Sequence, residues 1–402
     1  MKMKKNKIRV ISAVVSAIML ASSASVFAKF DAYNDPDGFT LGHYEVEVNQ
    51  EQRADTEKLY EQRPKNEKQF ENLSRGLVAV PGENGTLVSW RFLGTDSNSL
   101  TYNLYCSGEK LNDKPITTTN FFHTGASKNA EYTLKEVENG EETGVEYTTT
   151  AWDKNYIGFK VTEREGYNID DGAVADLDGD GEYEILLRRV PSMDVNTRTS
   201  YPVIEAYKTD GTHMWTIDIG PNEINEVDIN FLAYDMDGDG KAEVIMRSFE
   251  GTTDGKGNTT GDTNGDGITD YSKSESNLTI FKDRQYIVST PEFLSIYDGE
   301  TGEETDRTDL KPSKEPLSDW SYRYSDTGRL TKRASHYLFG LAYLDGVTPS
   351  VVMVRGAWDN VRAAAWHIED GKFKEDWVHN TENKDDVNSI WGACNHNLVT
   401  VD

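Results

Sequence analysis

Cysteine is nearly absent from this chain. Cys106 and Cys394 are the only two among 402 residues, and they fall in segments of different composition. A small protein held together by several disulfide bonds is therefore excluded, because such scaffolds need a dense, even set of cysteines. The length instead allows two or more domains, each with its own hydrophobic core.

Positive charge is also scarce. Lys and Arg number 42 against 69 Asp and Glu, so the formal net charge is −27. A chain this acidic repels nucleic acid and anionic membrane surfaces, and we expect neither as a partner. Binding of an anionic polysaccharide is unexpected as well, unless bound cations bridge the two molecules.

Long apolar runs are missing except near the N-terminus. Basic residues within 2–9 precede an apolar stretch at 10–21, which leads to Val26-Phe27-Ala28. This arrangement predicts a secretory signal peptide over residues 1–28, cut after Ala28, and hence a secreted protein. No other stretch approaches the ~20 apolar residues of a membrane helix.

What the chain does contain is a repeated acidic motif. It reads DLDGDGEYE at Asp176–Glu184, DMDGDGKAE at Asp235–Glu243 and DTNGDGITD at Asp262–Asp270. Each copy places carboxylate or amide oxygens at positions 1, 3, 5 and 9 and glycine at position 6, and oxygen ligands of this kind select calcium. The predicted calcium ligands are Asp176, Asp178, Asp180, Glu184, Asp235, Asp237, Asp239, Glu243, Asp262, Asn264, Asp266 and Asp270.

These loops are not EF-hands, which need a glutamate at position 12 and helices on both sides. Position 12 is Leu187, Met246 or Lys273. Short apolar runs flank the first two copies and predict strands. We therefore predict calcium-tied turns between strands. The third copy lies in a polar insertion, and a solvated acidic turn is the alternative interpretation.

Three segments follow the predicted signal peptide. Residues 29–70 form a polar leader, and residues 71–164 contain period-two runs that predict a β-sandwich of the immunoglobulin or fibronectin III type. Residues 165–402 alternate the acidic loops with strand–Asp-Gly–strand hairpins, at 204–215, 294–302 and 363–377. Such repetition is typical of propeller blades, so we predict an all-β chain that ends in part of a calcium-stabilised β-propeller.

The last residues repeat the beginning of such a unit. Residues 397–402 have the pattern of 230–235, and Asp402 stands where the first ligand of another calcium loop is expected. A propeller that stopped there would leave a strand edge free to pair elsewhere. We therefore expect the chain to be a fragment of a longer gene product.

Several motifs occur in the order found in family 11 of the polysaccharide lyases, the bacterial rhamnogalacturonan lyases. They are RGLVAV at 75–80, the two DxDGDG loops, EAYKTDGTHMW at 205–215, the YLDG and PSVVMVRG runs within 343–356, and NHNL at 395–398. The chain thus resembles this family from about residue 70 onward. The resemblance implies an N-terminal sandwich-like domain and an eight-bladed propeller that binds several calcium ions.

The implied activity is β-elimination in rhamnogalacturonan I, the pectin backbone of alternating rhamnose and galacturonic acid. A base removes the C5 proton of galacturonate and the bond to O4 breaks, while a cation on the uronate carboxylate stabilises the intermediate. The resemblance implies substrate contacts by Arg188, Arg355 and Asn395, and calcium ligation by His396. A monomer is expected.

The candidate catalytic residues are Asp170, Asp171 and Arg188, and no general base is identified. Groove positions depart from the family pattern; Val190, for example, replaces a substrate-facing Asp. Arg188 therefore has a surface salt bridge as its alternative role, and the two aspartates have a turn. A second hypothesis follows, in which a non-catalytic, calcium-stabilised propeller binds plant cell-wall polysaccharide.

Overall fold

The computed structural model describes residues 68–379 except 127–128, 193–199, 224–229, 283, 322–324 and 358–359, together with residue 398 and the backbone of 27–34 and 40–47. These residues belong to two compact units. One includes Lys68 and Ala342–Val347, and the other includes Gln69–Leu341 and Thr348–Leu398. Most of the predicted signal peptide and part of the leader lie outside the described residues, so both stay predictions.

The smaller unit contains an antiparallel hairpin. Strand β1 (Phe27–Asn34) pairs with β2 (Thr40–Glu47), so that Phe27 lies opposite Glu47 and Asn34 opposite Thr40. In the same unit the Lys68 ammonium lies 4.9 Å from the ring centre of Tyr343.

Two antiparallel sheets form the N-terminal part of the larger unit. The three-stranded sheet has the order β3-β4-β7, and the other sheet has the order β6-β5-β8-β9. Their strands are β3 (Val78–Gly82), β4 (Gly85–Ser89), β5 (Thr101–Cys106), β6 (Glu109–Lys110), β7 (Asn120–Thr124), β8 (Glu131–Glu138) and β9 (Glu141–Thr150). Val88 from one sheet and Leu104 and Leu134 from the other share one core, as period-two strands with one apolar face require. The immunoglobulin or fibronectin type of this pair stays a prediction.

Three four-stranded sheets follow among the described residues, with the orders β10-β11-β12-β13, β14-β15-β18-β19 and β20-β21-β22-β23. The first comprises β10 (Tyr167–Ala175), β11 (Glu184–Pro191), β12 (Val203–Tyr207) and β13 (His213–Asp218). The second comprises β14 (Phe231–Tyr234), β15 (Glu243–Phe249), β18 (Glu292–Tyr297) and β19 (Glu304–Asp309). The third comprises β20 (Tyr337–Ala342), β21 (Ser350–Arg355), β22 (Arg362–Glu369) and β23 (Lys372–His379).

The three predicted hairpins are confirmed. They are the antiparallel pairs β12–β13, β18–β19 and β22–β23, the last strands of each sheet. Each pair contains one register shift, which lies at the last pair before the turn in β12–β13 and β18–β19 and further from the turn in β22–β23. The predicted all-β class is confirmed as well.

The elements between the sheets are short. A separate hairpin joins β16 (Leu278–Phe281) to β17 (Arg284–Ile287), and 3-10 turns occupy Tyr271–Lys273, Glu275–Asn277 and Leu317–Trp320. Helix α1 (Thr327–Ser335) was not predicted; Asp326 caps it by accepting a hydrogen bond from the Arg329 N–H at 2.9 Å. Its buried face, with Leu330 and Ala334, packs on Trp320. None of the described helices is long and apolar enough to cross a membrane.

The second sheet is buried on both faces. In β15, Val244 and Met246 point into a core shared with the first sheet, whereas Ile245 between them points into a core shared with the third. Successive strand residues alternate between the two faces, so a sheet packed on both sides requires an unbroken apolar run. This explains why the residues after the second acidic loop are apolar without alternation.

Candidate functional site

The first acidic loop joins β10 to β11, and hydrogen bonds to its own candidate calcium ligands hold its backbone in place. Asp176 accepts hydrogen bonds from the N–H groups of Gly179 and Gly181, both at 2.8 Å. Glu184 reaches back across the loop, and its Oε2 accepts the Leu177 N–H at 2.8 Å. The spacing therefore places position 1 and position 9 on the same turn.

The second loop joins β14 to β15 and repeats this arrangement. Asp235 accepts from the N–H groups of Gly238, at 2.7 Å, and Gly240, at 3.1 Å. Glu243 Oε2 accepts the Met236 N–H at 2.8 Å. Two turns with the same sequence spacing thus have the same internal hydrogen bonds in consecutive sheets.

Both loops gather oxygen atoms closely enough to hold a cation. In the first, Asp176, Asp178 and Glu184 offer oxygens within 4.8 Å of one another, and in the second Asp235, Asp237 and Asp239 do so. Asp178 Oδ1 is buried and has no hydrogen-bond partner among the described residues. An all-oxygen set with one oxygen left unpaired suits a hard divalent cation such as calcium.

The electrostatics of the loops favour the same interpretation. Burial, followed by the neighbouring carboxylates of Asp237 and Asp235, raises the pKa of Glu243 to about 8. Burial, followed by the loop aspartates, likewise raises the pKa of Asp176 and that of Asp235. Several carboxylates forced together in a partly dry turn resist ionisation, and a bound cation would relieve that repulsion.

The third loop differs from the first two. Asp262 accepts from the N–H groups of Gly265, at 2.7 Å, and Gly267, at 2.8 Å, as position 1 does elsewhere. Asp270 instead caps the turn at Tyr271–Lys273, accepting the Ser272 N–H at 3.1 Å and pairing with Lys273 at 2.9 Å. Within the described part of the chain, this loop does not bring three acidic side chains together as the first two do.

A lysine that the sequence analysis missed compensates the first loop. The Lys208 ammonium pairs with Asp178 and lies 3.9 Å from Asp180 Oδ2. These carboxylates raise the pKa of Lys208. Its signal was present in the sequence, because Lys208 directly follows β12 in the hairpin motif that recurs beside the acidic loops.

The first loop also contacts the segment that leads into the N-terminal sheets. The Ser74 N–H donates to the Gly181 carbonyl at 2.9 Å, and the Arg91 guanidinium lies 4.3 Å from the ring centre of Tyr183. Gly181 has φ +88°, and a Cβ there would meet Ser74 N at 2.9 Å, so only glycine permits this approach. The loop is therefore part of a packed contact and not a free turn.

The three catalytic candidates are brought together at the β10–β11 pair. Arg188 Nη2 pairs with Asp170 Oδ2 and lies 3.8 Å from Asp171 Oδ2. Asp171 lies opposite Arg188 in the ladder, next to a register shift after Ile169. The Arg188 side chain is 9% exposed, whereas those of Asp170 and Asp171 are 40% and 60% exposed. The salt bridge proposed as the alternative role of Arg188 is therefore present; its roles with substrate stay predictions.

Arg355 is placed in a buried charge cluster. Its side chain is fully buried, its Nη2 lies 2.6 Å from Glu292 Oε2, and its Nη1 donates to the Pro312 carbonyl at 3.0 Å. Lys314 and Arg247 lie 3.7 and 3.5 Å from Glu292 Oε1. Burial would raise the pKa of Glu292, but Arg355, Lys314 and Arg247 lower it to about 2. Direct contact with substrate would require the Arg355 guanidinium to leave this cluster, so that contact stays a prediction.

The remaining two predicted site residues, Asn395 and His396, lie outside the described residues. Their roles as substrate contact and calcium ligand are untested by the structure.

Comparison with known families matches nearly all of the larger unit. The model of "Rhamnogalacturonan lyase family 11, C-terminal domain" matches residues 158–402. The model of "Rhamnogalacturonan I lyases beta-sheet domain" matches residues 68–152, which hold the two N-terminal sheets.

Two curated relatives come from Bacillus subtilis (strain 168). The chain is 35% identical over 350 residues to rhamnogalacturonan endolyase YesW, covering 83% of this chain and 53% of the relative. It is 35% identical over 352 residues to rhamnogalacturonan exolyase YesX, covering 83% of this chain and 54% of the relative. The chain therefore spans about half the length of these proteins.

Solved structures agree. The crystal structure of YesW superposes with a TM-score of 0.67 at 35% identity, over 80% of this chain and 54% of that one. A Bacillus licheniformis rhamnogalacturonan lyase gives a TM-score of 0.64 at 34% identity, over 79% and 54%. Since the family model spans more than half of the sequence and the fold agrees with the family's structures, this chain belongs to rhamnogalacturonan lyase family 11.

Proposed function

We propose that this chain forms part of a lyase that cleaves the rhamnogalacturonan I backbone of pectin by β-elimination. The observation that carries the proposal is the 35% identity, over 350 residues, to a rhamnogalacturonan endolyase. Its support from the structure is the pair of acidic loops, which have matching internal hydrogen bonds at the same point of two consecutive sheets.

We infer that the three four-stranded sheets are blades of an incomplete eight-bladed propeller over residues 165–402. Each sheet ends in a hairpin, and consecutive sheets share a core face to face, as propeller blades do. Residues 71–164 would then form a separate fibronectin III-like domain. The contact between Ser74 and Gly181 gives the first residues of that domain a fixed position against the first loop.

Calcium is the proposed cofactor. Asp176, Asp178 and Glu184 would hold one ion, and Asp235, Asp237 and Asp239 another. When bound near a uronate, calcium supplies electrostatic stabilisation of the carbanionic intermediate. In the loops themselves, the chain's own groups orient the turns through the hydrogen bonds to Gly179 and Gly238.

Arg188 is a proposed substrate contact, and it lies beside the catalytic candidates Asp170 and Asp171. A guanidinium suits a uronate carboxylate because it can donate two parallel hydrogen bonds. Asp170 of β10 holds this guanidinium in place, and the side chain of Asp171, the next residue, is more exposed than that of Asp170. Asn395 and His396 are proposed to complete the site as substrate contact and calcium ligand.

The cellular context belongs to the same proposal. A signal peptide cut after Ala28 would direct the protein out of the cell, where plant polysaccharide is found. The secreted protein is proposed to be a monomer. An acidic surface does not suit nucleic acid or anionic membranes, and calcium would bridge it to a polyuronate.

The test is a lyase assay on the purified 402-residue chain with rhamnogalacturonan I and millimolar calcium. Cleavage by elimination produces a conjugated double bond, so ultraviolet absorbance should rise with time. Homogalacturonan, which lacks rhamnose, is the control substrate and should give little product. A flat trace with a folded, calcium-loaded chain would contradict catalysis by this chain alone.

The binding-only alternative is favoured by one observation, the pairing of Arg188 with Asp170. A guanidinium held by a carboxylate of the protein is less available to one of the substrate. This alternative predicts retardation in gels containing rhamnogalacturonan I without release of unsaturated product. Absence of retardation would exclude it.

A further inference from the structure

The backbone N–H of the second loop residue has the same kind of acceptor in all three acidic loops. Glu184 accepts it from Leu177 in the first loop, and Glu243 accepts it from Met236 in the second, both at 2.8 Å. In the third loop this residue is Thr263, and its N–H donates at 2.7 Å to Glu250. Glu250 lies twelve residues before the loop begins, outside the repeated motif.

The chain brings Glu250 to this place by folding back on itself directly after β15. Gly251 N–H donates to the Thr260 carbonyl at 2.7 Å, and the Thr260 N–H donates to the Thr252 carbonyl at 2.9 Å. Gly251 has φ +82°, a backbone conformation that residues other than glycine rarely adopt. Asp262, position 1 of the loop, follows two residues after Thr260.

Asn222 fixes the same geometry from the other side. Its side-chain amide donates to the carbonyl oxygens of Glu250, at 2.7 Å, and Thr269, at 3.0 Å. Its Oδ1 accepts the Tyr271 N–H at 2.8 Å. One buried side chain therefore ties the backbone of Glu250 to both residues that flank position 9 of the loop.

The carboxylate of Glu250 is only half paired. Oε1 accepts both the N–H and the hydroxyl of Thr263, at 2.7 and 2.5 Å. Oε2 is buried without a hydrogen-bond partner among the described residues, and the whole residue is 0% exposed. Burying an unpaired carboxylate oxygen is strongly unfavourable unless a cation or a hydrogen-bond donor meets it.

Asp270, the position-9 residue by spacing, is committed elsewhere. Its Oδ1 accepts from Ser272 and its Oδ2 pairs with Lys273. We propose that the third loop is a site for a divalent cation of the calcium class, closed by Glu250 in place of Asp270. Asp262, Asn264 and Asp266 supply the remaining side-chain oxygens. The identity of the ion as calcium rests on the calcium role proposed above.

The experiment measures calcium bound at equilibrium to the full chain, by dialysis against a series of free calcium concentrations. Glu250→Gln keeps the size of the side chain and an acceptor for Thr263 but removes the charge. It should weaken one site at least about tenfold, because ligand charge sets affinity in such sites. Asp270→Asn, the matched control, should leave every site within about twofold. Equal binding by E250Q and the unmodified chain would overturn the proposal, as would loss of a site in D270N alone.

Thermal melting separates a ligand role from a purely structural one. In EDTA, E250Q should melt no lower than the unmodified chain, because it removes an unpaired buried charge. In millimolar calcium it should gain less stability than the unmodified chain does. A loss of equal size in both buffers would show that Glu250 acts only in packing and would refute the assignment.

Asp262→Asn tests the loop independently of Glu250. It should weaken the same single site, and combining it with E250Q should remove no second site. If D262N leaves the calcium count unchanged, the third loop holds no ion. Lyase activity is measured on the same preparations, so an inactive chain that still shows the E250Q effect contradicts the proposed function and not this site.

Discussion

Arg355 Nη2 lies 2.6 Å from Glu292 Oε2, although the two residues stand on different sheets. Glu292 begins β18 of the second sheet, and Arg355 ends β21 of the third. Arg247 of β15 and Lys314 also face this carboxylate, and Arg247 pairs in addition with Glu223. One buried anion thus joins two sheets at the ends opposite the second acidic loop.

Replacing Glu292 with Gln should destabilise the chain strongly, because three cations would lose their shared anion. The expected loss in free energy of unfolding is on the order of 3 kcal/mol, as for other broken buried ion pairs. Urea unfolding measures it. Glu375→Gln is the control, since Glu375 pairs with Lys311 at the surface and its loss should cost about 0–1 kcal/mol.

The same residue predicts a pH dependence. The pKa of Glu292 is about 2 in the folded chain, below its ordinary value of 4.5. A depressed carboxyl pKa stabilises the folded state above pH 4.5, and that stability disappears as the pH falls from 4.5 to 2. Unfolding measured across this range should show a smaller decline for E292Q than for the unmodified chain. Parallel curves would contradict the assigned charge state.

Chelation of calcium should lower the melting temperature. If each of the first two loops binds one ion, saturating calcium contributes about 2.7 kcal/mol per site at a hundredfold excess over Kd, a shift on the order of 5 °C or more. Calorimetry in EDTA and in calcium measures it. Asp178→Asn removes the loop carboxylate with the unpaired oxygen and should reduce the shift.

Magnesium is the control for this prediction. It needs strict octahedral geometry and retains its water, so it should not restore the melting temperature. Identical melts with and without EDTA would show that neither loop depends on a cation.

Lys208→Met should increase the dependence of the chain on calcium. The Lys208 ammonium pairs with Asp178 and neutralises part of the first loop when no cation is bound. Without it the carboxylates repel one another, so the melting temperature should fall more in EDTA than in calcium. Lys241→Met is the matched control, because Lys241 pairs with Glu300 and not with a predicted ligand of its own loop. Equal changes in the two buffers for K208M would contradict this role.

Arg188→Ala tests the proposed substrate contact. Loss of a charge-assisted hydrogen bond of about 1.5–3 kcal/mol should lower kcat/KM on rhamnogalacturonan I by roughly 10- to 100-fold. Asp170→Asn weakens the ion pair while keeping Arg188 charged, and it should lower activity less than R188A. If both variants melt as the unmodified chain does and retain full activity, Arg188 forms only a structural salt bridge.

The local features of the lyase region were predictable from sequence because they depend on near neighbours. Asp176 and Glu184 are eight residues apart, and a single turn is enough to bring them together. The Asp-Gly hairpins depend on residues within one turn for the same reason. Position 9 of the third loop shows a contact that spacing alone does not reveal. Ser272, two residues after Asp270, offers a competing hydrogen bond, and Asp270 takes it.

The sequence by itself determined the all-β class, the acidic loops, the hairpins and the resemblance to the lyase family, since each is encoded in residues close along the chain. Only the tertiary structure decided that Glu250 meets Thr263, that Lys208 faces Asp178, and that Arg355 is buried against Glu292. Those pairs are separated by 13, 30 and 63 residues. The sequence around a charged residue does not indicate its distant partner, because the contact between the two depends on how whole sheets pack.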